Sequence, residues 1–552
     1  MNKWQLENKL TAQNLKFKDI IGILLQERGI RTKKEIDEFL NPNLSDISAD
    51  KVGIDKNNLQ KALKRINIAI KTQEKIIIYG DYDVDGICAS AILWETLNSL
   101  GADVMPFIPS RFDEGYGLSK EGIDSLLSKQ KADLIITVDN GIVAEEGVSY
   151  ANKKGVDVII TDHHSLSKRV PDAFAIVHTT KLCGAGVAYI LSQEIRNQES
   201  GIRNPQADHL SLVALATVAD LVPLTGANRT LLYFGLKDLK KTQRPGLLAL
   251  INKAGIRKED LGVYEIGYII APRLNAMGRL ESAMDSLRLI CTSNKKRAES
   301  LAGTLSDTNL QRQQITIKTL EHAKGEVNKK PLKKLIFIAS ESYQQGIVGL
   351  VAGRLVEEYY LPSIVVSKGP KLSKASARSV KGFNITEFLR TASDLLVDVG
   401  GHPMAAGFTV ETKKLKLLED KLYKTVEELL NVKHLERVLR IDMELPEGFI
   451  SQSLYSEIQQ LDPFGMGNPE PTFLTRNLTV ENLRIVGNDG KHLKIDFRIK
   501  MSDMRISGIY FNGSSKSKIK IGDKADVVYT LDENIWNGNK TLQLKVKDIK
   551  KT

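Results

Sequence analysis

Three carboxylates stand at alternate positions in Gly80-Asp81-Tyr82-Asp83-Val84-Asp85-Gly86. Such a cluster on one turn repels itself, and holding it ionised calls for a cation. Two further apolar runs end in polar triplets: 134–138 leads into Asp139-Asn140-Gly141, and 156–161 into Asp162-His163-His164. A further acid, Asp220, closes Ala216-Thr217-Val218-Ala219-Asp220. Mixed carboxylate and imidazole donors without thiolate suit Mn²⁺ or Mg²⁺ better than structural zinc. Two such ions roughly 3.5–4 Å apart are the usual clamp for in-line phosphoryl displacement. A helix–loop–helix calcium loop opens with similar acidic spacing but needs a flanking helix and a glutamate at its twelfth position. Here the flank reads as a strand, and the twelfth residue from Asp81 is Ile92. Taken singly, Asp139 or Asp162 is more often a helix N-cap, and a lone histidine a surface or packing residue. The case for chemistry rests on all of them converging.

The surrounding elements can make them converge. Runs at 75–79, 103–108, 134–138 and 156–161 read as strands, alternating with helices over 87–100, 119–130 and 143–154. That alternation predicts a mostly parallel sheet covered on both faces. The carboxyl ends of its strands share one edge, where ligands bind. Helical patterns dominate from about 185 to 325, and 295–328 contains no proline, so a long connecting helix is expected there. A second α/β region starts at 335. After 436, alternating segments at 493–499, 505–510, 525–530 and 541–546 predict a small antiparallel barrel. The expected division is a helical segment over 1–50, a sheet domain over 51–230, a helical region with the long connector over 231–330, a second α/β domain over 331–435 and the barrel over 436–552.

With 552 residues, 42% hydrophobic and 26% charged, wholesale disorder and a disulfide scaffold are excluded. Apolar runs of about five residues are too short to span a bilayer, so no membrane partner is expected. The start has no signal-peptide core. Cys88, Cys183 and Cys291 lie far apart and fit no zinc pattern, which points to a reducing cytoplasm. Of the net charge of +11, +7 falls in the last 77 residues, which hold sixteen basic against nine acidic groups. A localised basic region favours a polyanion such as nucleic acid.

The Asp162-His163-His164 triplet with the upstream aspartate turn resembles the DHH phosphoesterase superfamily. Gly400-Gly401-His402-Pro403-Met404-Ala405-Ala406-Gly407 looks like its DHH-associated (DHHA1) domain. Ala271-Pro272-Arg273-Leu274-Asn275-Ala276-Met277-Gly278-Arg279-Leu280 and Asp462-Pro463-Phe464-Gly465-Met466-Gly467-Asn468-Pro469-Glu470-Pro471 resemble the bacterial single-strand-specific exonucleases, not the shorter members. The resemblance runs from about Phe39 to the C-terminus. It implies an α/β protein: a DHH parallel-sheet domain and a DHHA1 domain joined by a long helix, with a C-terminal OB-fold barrel.

It also implies roles. Asp81 and Asp83 would bind one divalent cation, Mn²⁺ or Mg²⁺; Asp85, His163 and Asp220 would bind a second, with Asp139 bridging. The pair would activate the attacking water. Asp139, Asp162 and His164 form the expected catalytic set. Asp162 either joins the chemistry or orients the loop, and His164 either contacts phosphate, protonates the leaving group or supports its neighbours. Arg111, Arg273, Asn275, Arg279, Gln311, Ser376, Arg378 and His402 would hold the nucleic acid, with arginine favoured for its bidentate fit to phosphate. Asn309 and Arg312 are further channel candidates. In the barrel, Phe497, Tyr510, Phe511 and Trp536 are candidates for base stacking, with core filling the stronger expectation for Phe497. The implied activity is metal-dependent release of 5′-mononucleotides from the 5′ end of single-stranded DNA, in repair and recombination, with the barrel closing a channel. A helicase and a single-strand-binding protein are the implied partners. The rivals are a phosphodiesterase for short oligoribonucleotides or small nucleotides, and a catalytically dead nucleic-acid-binding scaffold.

Overall fold

The computed structural model describes the chain except residues 1, 9–15, 111–113, 116, 167–168, 199–208, 330, 488, 500–503 and 537, and the side chains of 432, 504 and 536. Arg111 and the Trp536 side chain therefore lie outside the described residues. The chain forms two compact units: Ile47–Asp220 with Phe234–Glu436, and Met1–Asp46 with Leu221–Tyr233 and Arg437–Thr552.

The larger unit holds two sheets. In the first, five parallel strands lie in the order Val104–Phe107, Ile76–Tyr79, Leu134–Val138, Asp157–Asp162, Ala175–His178. The middle strands Ile76–Tyr79 and Leu134–Val138 are buried throughout, as a sheet covered on both faces requires. Ala175–His178 is an addition to the expected strands; four residues after a proline-containing loop leave little periodicity to read. The strand order reverses between Ile76–Tyr79 and Leu134–Val138, and such a switch point opens a crevice at the carboxyl ends of both strands.

Helices follow, ending in Lys295–Asn328, which spans the expected connector and caps its start with the Asn294 side chain on Arg297 N. At 34 residues it is about 50 Å long. The second sheet runs Leu396–His402, Ala405–Glu411, Leu372–Arg378, Ser363–Ser367, Ile336–Ser340, with only the last two parallel.

In the smaller unit, Phe473–Val486, His492–Ile499, Met504–Tyr510, Asn539–Lys551 and Lys524–Trp536 pair in sequence, and the last pairs back to the first, closing a five-stranded barrel. The expected all-antiparallel barrel needs correction, because Met504–Tyr510 and Asn539–Lys551 run parallel. Alternation reports which face a residue takes, not which strand it pairs with. The segment 1–50 also differs from expectation. Lys3–Asn8 is a strand, parallel to Val438–Glu444, and Ile20, Leu24, Leu25 and Phe39 are buried in the same core as Leu454, Phe473 and Phe497. Its six residues alternate exposed and half-buried, a short edge strand with a weak signal.

Candidate active site

Asp83 caps the helix Val84–Ser99, its Oδ1 accepting from Asp85 N (2.9 Å) and Gly86 N (3.0 Å). Asp85, in the first helical turn, accepts from Gly184 N and Ala185 N, both at 2.6 Å. These amides open the helix Gly184–Gln198, a positive helix terminus beside a carboxylate. Asp139 follows its strand with φ of 61°, a left-handed conformation uncommon outside glycine. A Cβ at Gly184 would come within 2.6 Å of Asp139 Cβ and Oδ1, so only glycine admits that side chain.

Three of the acids, Asp81, Asp85 and Asp139, are almost fully buried. Burial first, and then Asp83, push Asp85 up to about 7. Burial and the charges of Asp85 and Asp83 push Asp220 up to about 8. Asp139 is raised by burial and then by Asp85, Asp83 and Asp81. His163 goes the other way, down to about 4 through burial and the neighbouring His164. It is thus neutral at pH 7, although its Nε2 stands 3.1 Å from Asp139 Oδ1, 3.5 Å from Asp220 Oδ2 and 3.7 Å from Asp85 Oδ2. His163 Nε2 and Asp139 Oδ1 are buried and make no hydrogen bond.

This is the signature of a cation site: acids that repel one another, a neutral imidazole turned among them, and orphaned donor atoms. Potential ligand atoms of Asp81, Asp83 and Asp139 lie within 4.8 Å of one another, as do those of Asp85, His163 and Asp220, and those of Asp139, His163 and His164. Carboxylate and imidazole donors fit Mn²⁺ or Mg²⁺. Asp162 belongs to none of these groups. Its Oδ2 accepts from Ile142 N (2.9 Å), and its Oδ1 accepts from His163 N (2.7 Å) and meets His164 Nδ1 (2.8 Å). Burial opposes a charge on His164, but the Asp162 hydrogen bond and the charges of Asp162, Asp220 and Asp81 together outweigh it and lift the ring to about 9.

The helix Ala271–Leu280 ties this loop to the second sheet. Asn275 Oδ1 accepts from Val84 N (3.0 Å). A Cβ at Gly278 would approach Tyr82 O to 2.6 Å, so the helix can lie on the aspartate turn only with glycine there. Arg279 Nη1 donates to Gly346 O (3.0 Å), just before the helix Val348–Tyr359. Ser376 and Arg378 lie against the first turn of that helix, each 3.0 Å from where a Cβ on Gly349 would stand. Arg378 Nη1 donates to Ser376 Oγ (2.9 Å). His402 pairs with Ala405, and Ala405 with Arg378, so the three residues form one row across adjacent strands. The fold thus gathers Arg279, Ser376 and Arg378 at a helix N-terminus, an anion-binding arrangement, with His402 two strands away in the row of Arg378.

The other candidates part from this group. Arg273 Nη1 donates to Ile269 O (2.6 Å). Gln311 is on the exposed side of the connecting helix. Asn309 is buried and its Oδ1 makes no hydrogen bond; Arg312 Nε is likewise buried and unpartnered. In the barrel, Phe497 and Tyr510 are core residues, while Phe511 is 49% exposed beside His492. Two contributors escape the sequence. The Gly184 and Ala185 amides carry no side-chain signal. His178, whose Nε2 meets His164 O at 2.7 Å, ends the strand that periodicity does not reveal.

Family models match three segments: the DHH family N-terminal domain over 75–217, the DHHA1 domain over 332–431 and the RecJ OB domain over 441–548. The single-stranded-DNA-specific exonuclease RecJ of Bacillus subtilis is 34% identical, over 99% of this chain and 70% of its own length. The chain belongs to the RecJ family. The RecJ of Haemophilus influenzae is 31% identical, over 96% of this chain and 95% of its own. The crystal structure of RecJ from Thermus thermophilus in complex with Mn²⁺ superposes with a TM-score of 0.84 at 29% identity, covering 100% of this chain and 80% of that one. Its complex with Mg²⁺ gives 0.78. The RecJ of Thermus thermophilus is thus found with both cations to which this donor set is suited.

Proposed function

We propose that this chain is a metal-dependent exonuclease that degrades single-stranded DNA from its 5′ end and releases 5′-mononucleotides. The observation that carries it is the pair of three-donor groups, Asp81–Asp83–Asp139 and Asp85–His163–Asp220, joined by the 3.1 Å approach of Asp139 to His163. Each group would hold one Mn²⁺ or Mg²⁺, and Asp139 would face both. Bound there, the pair supplies an activated water and charge stabilisation at the phosphorus.

The remaining steps belong to the protein. Asp162 fixes the His164 ring through Nδ1, and Nε2 is the atom assigned to a phosphate oxygen or to the departing 3′ oxygen. In this scheme Asp162 is a positioning residue. Arg279, Ser376 and Arg378, at the start of Val348–Tyr359, and His402 in the row of Arg378 take the terminal 5′ phosphate and so set polarity. Asn275 holds the aspartate turn by its bond to Val84 N. The barrel, with its basic excess, attracts the strand without reading its sequence. No helix among the described residues is long and apolar enough to cross a membrane. All three cysteines are free, in keeping with a reducing cytoplasm, where a helicase would supply single strands and a single-strand-binding protein would present them.

The test is release of mononucleotides from a long 5′-phosphorylated strand by purified protein with Mn²⁺, compared with the matching duplex and a dinucleotide. Rapid digestion of the long strand alone is expected, with loss on chelation. An Asp139→Ala variant should lose roughly 10³-fold or more in rate yet keep strand binding. Preference for the dinucleotide would replace this activity with a small-substrate phosphodiesterase, and binding without cleavage would make the chain a scaffold.

A further inference from the structure

Beside the carboxylates lies a surface feature with no part in that chemistry. Between Val263–Glu265 and Ala271–Leu280 the helix passes through one π-helical stretch, Ile266–Ile270. Such widened turns are rare and frequent at functional sites. Ile266 and Ile270 are buried and anchor it, while Tyr264 and Tyr268 project outward, 63% and 73% exposed. Their rings stack on each other, centroids 4.9 Å apart and planes 29° apart. Among the described residues no other aromatic pair in contact has both rings exposed. Glu265, the acid between them, lies back against Gly262.

Two observations say what would cover these rings. The π-helical stretch packs on the helix that delivers Asp220: a Cβ at Gly267 would sit 3.5 Å from Val218 Cγ1, two residues before that acid. One turn further along, the Arg273 guanidinium reaches back to Ile269 O. Among the described residues no carboxylate pairs with it, and its Nε is buried without a hydrogen bond. Flat faces for stacking, a guanidinium one turn along and the proposed metal site at the end of the adjoining helix match a nucleotide's base and phosphate. A protein interface needs about 800 Å² from each partner, far more apolar surface than two tyrosine rings offer.

We propose that Tyr264 and Tyr268 form a stacking platform for bases of the single strand near the Asp220 edge of the active site, with Arg273 on the adjoining phosphate. The platform rests on the nuclease reading above and adds to it a second holding point, away from the residues assigned to the 5′ phosphate. Tyrosine suits the place: its ring is a sequence-tolerant partner for any base, and its hydroxyl keeps the unliganded surface wet.

The test uses full-length protein carrying Asp139→Ala, so that bound strands survive, and fluorescence anisotropy with a 5′-phosphorylated oligonucleotide. Tyr264→Ala with Tyr268→Ala should weaken binding about tenfold or more, as loss of base stacking does. The conservative pair, Tyr264→Phe with Tyr268→Phe, should bind as the parent does. An otherwise identical strand with abasic sites at the stacking positions should bind the parent weakly and be indifferent to the alanine pair. Unchanged affinity for the base-bearing strand would overturn the platform, as would equal loss for the abasic strand. Sedimentation of the same proteins gives a third outcome: if the alanine pair converts a dimer into a monomer, the rings join copies of the chain and the platform is wrong. Wild-type nucleotide release is measured in parallel. Digestion by the wild type together with normal binding by the alanine pair sinks only the platform, whereas failure of the wild type to digest any strand sinks the nuclease reading.

Discussion

Two buried charge centres in this chain are built on opposite plans. At the carboxylate edge of the first sheet, Asp85, Asp139 and Asp220 crowd a neutral His163, and Asp139 Oδ1 makes no hydrogen bond. In the barrel unit, Arg229 is equally hidden but fully attended. Its Nε donates to Phe39 O (3.0 Å), Nη1 to Leu461 O (2.9 Å) and Nη2 to Asp462 O (2.8 Å), with longer bonds to Gln460 and Pro463 carbonyls. The Phe39 ring lies 3.8 Å from its Cζ. Burial still lowers its pKa to about 10. Asn468 closes the same turn, donating to Leu461 O (2.8 Å) and Pro463 O (3.0 Å). One centre is satisfied from within and is structural; the other is left short of a counter-charge and waits for a ligand. An uncompensated buried charge therefore marks function here better than burial or charge alone.

The contrast breaks first if Arg229 is dispensable. Arg229→Met should cost about 3–5 kcal/mol, because it strands buried carbonyls, and denaturant unfolding of the barrel signal would measure it. A variant as stable as the parent would put both centres in one class. Glu95 offers an intermediate case: a buried acid paired with Arg244 at 2.6 and 2.8 Å and with His209 at 3.0 Å. Burial would raise its pKa, but these partners bring it down from 4.5 to about 2. A carboxyl depressed in the folded state adds stability above its unfolded pKa and loses it as pH falls through the folded one. Glu95 should thus contribute about 3 kcal/mol at neutral pH, fading between pH 4.5 and 2. Glu95→Gln should lower neutral stability by a comparable amount and flatten the acid limb of the unfolding curve.

The carboxylate centre should respond to a ligand instead. Mn²⁺ at a hundredfold excess over its dissociation constant is expected to stabilise the larger unit by about 2.7 kcal/mol. Asp139→Ala should abolish that gain while leaving the metal-free protein no less stable, as scanning calorimetry would show. A destabilised metal-free variant would mean that Asp139 serves the fold. The smallest effect concerns the support of the centre. Asn275→Ala releases Val84 N and should weaken Mn²⁺ binding about tenfold, as loss of an outer-shell contact does, read by isothermal titration.

Much of the carboxylate centre is legible in the sequence because chemistry and topology coincide there: Asp81, Asp83 and Asp85 sit on a strand–turn–helix, and Asp139 and Asp162 end neighbouring strands. The connector Lys295–Asn328 is legible for a similar reason, a long helical pattern with no proline to stop it. What escapes depends on partners distant in sequence. Nothing about Arg229 in its own helix announces that residues 460–463 will wrap it. The Asp462-Pro463-Phe464-Gly465 stretch is legible only as part of a family motif, whereas its Asp462 and Pro463 carbonyls belong to the cage. Asp162 keeps two roles open in the sequence, and only its oxygens on Ile142, His163 and His164 separate them. Lys3–Asn8 and Ala175–His178 are too short to show a period, and the parallel barrel pairing leaves no mark on alternation.

The hydrogen atom that serves as the side chain of Gly184 has an outsized consequence. It bears no charge, binds nothing and would escape any search for reactive groups, yet it alone leaves room for the Asp139 carboxylate. A random screen for inactive variants should therefore return alanine at 184 alongside losses of the acids themselves, a one-methyl lesion that silences the enzyme by eviction.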